Sequence, residues 1–182
     1  MGIIGGLKAS GSLAIVALIL LFISCVCVLI SISAVGWATT GSTRLGLWRS
    51  CPSDEKYMST TPSLSCSEFA GLAVDWWAAV VAMTLLGTVG TLLAWLICMT
   101  YMFHQRFMGN SECAYVSAIL AILSGVCLLV ALIVFGVKIS TYGGYSLYYC
   151  FYLLIAPCFL DILAGIFLFI NIRKSSATSP FA

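Results

Sequence analysis

The chain has 182 residues, of which 62% are hydrophobic and 8% charged, with a net charge of +2, and its mean hydropathy is +1.13. A soluble domain carries about 25% charged residues, so this chain lacks the polar groups to cover a water-facing surface, and membrane lipid must surround most of it. The charge balance is too weak to imply a nucleic-acid partner.

Residues 1–8, MGIIGGLK, open like a signal peptide. The apolar run that follows, Ser12 to Gly36, is too long for a signal h-region and has no small-residue cleavage site before the next polar segment. It is a retained transmembrane helix near 12–34. Gly2 carries an incomplete myristoylation signal, because Gly6 stands where Ser or Thr is wanted. Three further charge-poor runs predict spans near 76–100, 114–137 and 147–171, each meeting the roughly 20 residues a helix needs to cross the hydrocarbon core. The short alternating segments of a membrane barrel are absent, so helices are the way to satisfy the backbone in lipid. The whole chain, 1–182, reads as a single membrane domain: a first loop over 35–75, a turn over 101–113, a second loop over 138–146 and a tail over 172–182 complete it.

Helices in lipid meet at small residues. The second span offers Gly87, Gly90 and Ala94; the third has Ser117, Ala121 and Gly125 at four-residue steps; the fourth places Asp161 and Gly165 on one face. The simplest outcome is an all-α, left-handed four-helix bundle with short connections. Trp76 and Trp77 at one end of the second span, with Tyr145, Tyr148 and Tyr149 at the start of the fourth, suit an interfacial aromatic belt. Pro157 removes a helical hydrogen bond and predicts a bend in the fourth span.

Lys and Arg do not settle sidedness. Lys8, Arg106, Arg173 and Lys174 lie on one side, and Arg44, Arg49, Lys56 and Lys138 on the other. The cysteines lean harder. Cys51 and Cys66 are the two clearly placed in a loop, and a disulfide persists outside the cytosol. Closing that loop would constrain the unfolded chain by roughly 3 kcal/mol; two free thiols are the open alternative. A disulfide there makes the first loop extracellular and both termini cytosolic, in a multi-pass protein of the plasma membrane. Of the other cysteines, Cys25 and Cys27 form C-x-C on different helix faces and behave as small hydrophobes. Cys98 and Cys113 flank the turn and are candidates for S-palmitoylation or for plain packing at the membrane edge.

Asp161 stands near mid-membrane, where a carboxylate is a functional-site candidate by default. A proton or ion pathway wants partners, yet no second acidic or basic side chain lies deep in a span; Asp75 is only at an edge. The expectation is a protonated acid bonded to a Ser, a Thr or a carbonyl of a neighbouring helix, or to a polar group of a partner protein. Nothing resembles a nucleophile–base pair, a metal cluster or a phosphate loop, and His104 sits in the turn. The chain therefore reads as no enzyme and as needing no cofactor.

Trp37, then Gly46-Leu47-Trp48, then Cys51 and Cys66, all between a first and a second span, resemble the W…GLW…C…C signature of the claudin and peripheral-myelin-protein superfamily. Gly144-Tyr145-Ser146-Leu147-Tyr148 is similar to that family's G-x-S-L-Y entry to the fourth helix. The resemblance implies a small extracellular antiparallel β-sheet over the bundle. Cys51 and Cys66 would staple two of its strands, and Trp48 would seat it on the helix ends. The short interval from Trp37 to Trp48 and the Asp75-Trp76 step are closer to the short-first-loop branch: peripheral myelin proteins, epithelial membrane proteins and small claudin-like junction proteins.

The implied function is that of a claudin-like protein of cell–cell junctions, organising adhesion or a paracellular barrier by self-association in cis and in trans. Leu45, Leu47, Pro52, Tyr57, Met58 and Pro62 are contact candidates. The alternative is an auxiliary subunit of an ion channel or receptor, since such relatives often carry an acid in the fourth helix near the place of Asp161. Asp54, Glu55, Lys56 and Glu68 are mixed in sign and give ion selectivity no support. The ending Ser179-Pro180-Phe181-Ala182 is not the Tyr-Val that claudins offer to PDZ scaffolds, and no N-x-S/T sequon is present.

Overall fold

The computed structural model describes residues 12–41, 43–52, 66–68, 75–103, 111–141 and 143–178. In chain order they form α1 (Ser12–Ser33), β1 (Ala38–Thr39), β2 (Thr43–Leu45), β3 (Arg49–Pro52), β4 (Ser67–Glu68), α2 (Asp75–Phe103), α3 (Ser111–Thr141), β5 (Ser146–Leu147) and α4 (Tyr149–Thr178). All four helices are long and apolar enough to cross a membrane.

The distribution of side-chain size identifies the solvent. Large residues such as Phe22, Leu86, Ile133 and Phe159 point outward, while Ala14, Ala17, Ala118, Ala121 and Ala164 are fully buried. Water would drive the large apolar groups inward. Lipid does not, so close backbone approach at small residues decides which face turns in.

Each helix has two neighbours. α1 packs on α4 and, more lightly, on α2, while α3 packs on α2 and α4. The pairs α1/α3 and α2/α4 therefore stand across diagonals. At Gly125 of α3 an added Cβ would lie 2.8 Å from the Cys158 carbonyl oxygen, and at Gly165 of α4 it would lie 2.8 Å from that of Ala118. Neither position has space for a methyl group. The interior divides into two apolar clusters, one around Leu21, Cys98, Met102 and Leu168, the other around Trp37, Leu47, Phe135 and Leu154. Buried Ser24, Thr88, Thr91, Ser124 and Asp161 belong to neither.

Three of the four helices are longer than the predicted spans, while α1 matches its own to within a residue. α2, α3 and α4 have 29, 31 and 30 residues, and α3 continues through Lys138 to Thr141, where the sequence suggests a loop. A lysine near a helix end can lie along the apolar surface and reach water with its tip, so the charge does not end the helix. Its last turn is held by Ser140 Oγ and Thr141 Oγ1, which donate to the Val137 carbonyl at 2.8 and 2.9 Å. Gly143 and Gly144, with φ of +48° and +91°, then turn the chain through the left-handed region that glycine adopts at least cost. Ser146 and Leu147 form a strand, so α4 starts at Tyr149.

The five strands lie in the order β4-β3-β2-β1-β5, with every neighbour antiparallel. Ala38 opposes both Leu45 and Leu147, whereas Thr39 opposes Arg44 and Ser146. Side chains alternate along a strand, so Ala38, Leu45 and Leu147 turn to the bundle and pack at the second cluster. Thr39, Arg44 and Ser146 form the opposite face. The Arg44 guanidinium lies 5.7 Å from the centre of the Tyr148 ring, within cation–π range.

Candidate functional site

The signature residues converge on the last turn of α1. A helix end leaves carbonyls without intrahelical partners, and two tryptophans serve this one. Trp37 Nε1 donates to the Ser31 carbonyl at 2.9 Å, and Trp48 Nε1 to that of Ile32 at 2.8 Å. The Trp37 backbone also ties the sheet together, its N–H donating to Leu45 O at 2.8 Å and its carbonyl accepting from Tyr148 N at 3.1 Å. Its ring, 0% exposed, meets Phe135 edge-on with centroids 5.1 Å apart. Phe135 in turn touches Trp76, Trp77 and Phe151. Leu47 is buried beside them, and its carbonyl accepts from Trp77 Nε1 at 3.3 Å. Gly46 lets the chain pass here, since a Cβ would sit 3.1 Å from Arg49 O and 3.2 Å from Val35 Cα.

The deep anchor is thus Trp37. Trp48, expected to seat the sheet, bonds to α1 at the rim with its side chain 44% exposed. The motif contains both residues, but their depths depend on where the α1 carbonyls and Phe135 stand in space. Phe135 itself carries no sequence signal that separates it from other apolar residues of α3.

Cys51 of β3 is bonded to Cys66, with Cα atoms 4.3 Å apart. The bridge lies next to the two residue pairs joining β3 and β4, Arg49 with Glu68 and Ser50 with Ser67. Pro52 ends β3 half-buried. Asp54, Glu55, Lys56, Tyr57, Met58 and Pro62 fall outside the described residues, as do Gly2, Lys8, His104, Arg106 and the last four residues.

Asp161 faces into the bundle and is 0% exposed. Its Oδ2 lies 2.6 Å from Thr91 Oγ1 across the α2/α4 diagonal. Ser24 approaches the same carboxyl from α1 without closing a bond of good geometry: Ser24 Oγ and Asp161 Oδ1 are both buried and unpaired. On α3, Gly125 leaves the space, since a Cβ there would be 3.3 Å from Asp161 Cβ. All four helices meet at this carboxyl. Ser24 and Thr91 escaped sequence reasoning, although a Ser inside the apolar run of α1 was a visible signal. Nearby, Ser117 Oγ donates to Ala94 O at 2.8 Å and Ser31 Oγ to Cys150 O at 2.9 Å, joining α3 to α2 and α1 to α4.

A model of the PMP-22/EMP/MP20/Claudin family matches residues 9–168. The chain belongs to that family. A search of curated proteins finds no match. Family membership and four membrane-spanning helices make this a multi-pass membrane protein, and the five-stranded sheet at one end of the helices completes a claudin-like fold. Among the described residues, no three His, Cys, Asp or Glu side chains come together as a metal site would require.

The two palmitoylation candidates of this claudin-family chain differ. Cys98 is 0% exposed, packed in the cluster with Leu21 and Met102; a thiol so placed cannot take an acyl chain in this conformation. Cys113, near the start of α3, is partly exposed.

Proposed function

We propose that this claudin-family protein resides at cell–cell contacts of the plasma membrane, with the sheet extracellular and both termini cytosolic. There it organises adhesion or a paracellular barrier by associating with copies of itself, laterally and across the gap. The observation that carries this reading is the sheet's mounting. It is pinned to α1 by Trp37 and Trp48, stapled by Cys51–Cys66, and turns the face of Thr39, Arg44 and Ser146 away from the bundle. A surface held that firmly loses little conformational entropy on binding, which favours recognition. Beneath it, the aromatic groups around Phe135 fill the bundle's mouth, so the outer surface is what the molecule has to offer.

The auxiliary-subunit reading drew on Asp161 as a contact for a channel or receptor. The side chain is bonded inside its own bundle, which leaves that reading without its residue. The deciding experiment expresses tagged protein in cells that lack junctions, locates it by microscopy and identifies what it retains in mild detergent. Enrichment at contacts in mostly homomeric complexes, reduced by Trp48→Ala, is the expected result. A diffuse surface protein that retains a stoichiometric channel or receptor would overturn the proposal.

A further inference from the structure

We infer that Asp161 carries its proton, and that Ser24, Asp161, Thr91 and the Gly87 carbonyl form one directed hydrogen-bond chain binding α1, α4 and α2 through the middle of the bundle. The argument is a count of protons. Thr91 Oγ1 has one hydrogen and two acceptors at hand, Gly87 O at 3.0 Å and Asp161 Oδ2 at 2.6 Å. Thr84 and Thr88 on the same helix spend their hydrogens on the carbonyl four residues back, both at 2.7 Å. When Thr91 does the same, the short contact to Oδ2 needs a hydrogen from the acid. Asp161 then donates through Oδ2 to Thr91 Oγ1, and its carbonyl oxygen Oδ1 is left to accept from Ser24. Both atoms, Ser24 Oγ and Asp161 Oδ1, are buried and make no other hydrogen bond. With the serine hydroxyl turned to Oδ1 the chain is complete, and each hydrogen is used once.

The surroundings agree. Among the described residues, the buried polar and charged ones are hydroxyl-bearing apart from Asp161, with no Lys, Arg or His among them. Among the described residues, the titratable groups that interact with it are the thiols of Cys25 on α1 and Cys158 on α4, which bring no positive charge. An ionised carboxylate here would have two hydroxyls at most and no cation, and the loss of hydration in such a site exceeds what two hydroxyls return. The neutral acid is a donor as well as an acceptor, so it can bridge two helices that each present a hydroxyl. It also ties α2 to α4, the diagonal pair. Asp161 is thereby a strut inside the protein, distinct from both a partner contact and a step in an ion path.

Infrared spectroscopy of the full chain in lipid nanodiscs reads the proton directly. A carbonyl band of a protonated carboxylic acid is expected at neutral pH and lost in Asp161→Asn. In Thr91→Val the band shifts upward, because the acid has lost its acceptor. A variant with Asp54→Asn and Asp75→Asn, labelled at aspartate carboxyls, leaves Asp161 as the sole labelled side chain and keeps the test valid should Asp161→Asn fail to fold. Carboxylate bands alone from that label at neutral pH would overturn the inference, as would a band position unmoved by Thr91→Val.

Discussion

Trp37 and Trp48 each give one indole N–H to the end of α1, yet their removal should have unequal effects. Trp37→Ala deletes a fully buried ring from the contact with Phe135 and frees the Ser31 carbonyl; large aromatic-to-alanine changes in cores cost about 3–5 kcal/mol. Trp48→Ala removes a half-exposed ring and one hydrogen bond, for which about 1 kcal/mol is the expectation. Thermal unfolding of the purified protein in one detergent should rank Trp37→Ala far below Trp48→Ala; equal losses would contradict the assignment of depth. Cysteine chemistry gives a second contrast. Any acyl-exchange signal from the turn should be lost in Cys113→Ser and kept in Cys98→Ser, because of these two thiols only Cys113 reaches the surface; a signal that depends on Cys98 would mean that α2 opens at that end. At this scale a sequence carries letters without depth. It marked Asp161, both tryptophans and both bridging cysteines. It could not show that Ser24 and Thr91 face the acid, since that depends on the rotation of three separate helices.

Between elements, the glycines that come closest to the backbone of a facing helix are Gly125 and Gly165, where α3 meets α4. Gly125→Ala and Gly165→Ala would each bring a methyl carbon within 2.8 Å of a backbone oxygen on the facing helix. Backbone cannot swing aside as a side chain can, so the helices must separate, at roughly 1–3 kcal/mol for overpacking of this kind. Gly41→Ala is the control: nothing lies within 4 Å of its Cβ position, and a surface change of that sort stays within about 0.5 kcal/mol. Chemical denaturation of the three variants in mixed micelles checks the order, and Gly125→Ala unfolding with Gly41→Ala would count against this packing. The helices themselves were legible, because apolar runs of this length have few other solutions, and so were the small-residue rows: Ser117 and Ala121 are buried, and Gly125 is in contact as expected. Their ends were less so. Hydropathy registers Lys138 as polar, whereas α3 stops at the hydroxyls and glycines beyond it. Two-residue strands such as β1, β4 and β5 have too little length for any period to show; Trp37 and the α1 end bring β1 and β5 together, and the Cys51–Cys66 bridge holds β4 beside β3.

For the molecule as a whole, sidedness links the fold to the proposed role. Lys and Arg divide evenly between the two sides, so the bridge is the strongest physical statement about which end meets an oxidising compartment. A loop closed over a sequence separation of 15 contributes about 3 kcal/mol by restricting the unfolded chain, while β4 is joined to β3 by two residue pairs. Replacing both Cys51 and Cys66 with Ser should therefore loosen β4 first. The helices do not depend on it, because the deep tie between sheet and bundle is Trp37 on the other side of β2. Far-ultraviolet circular dichroism should keep its helical signal in the double variant, while enrichment at cell contacts falls. A tag placed among residues 53–65 should be stained on intact cells, and a tag after Ala182 only once the membrane is permeabilised. The reverse pattern would put the sheet in the cytosol, where the bridge would stay reduced. The adhesion reading would then fail, whatever the sheet's rigidity, because the surface it presents would never face another cell.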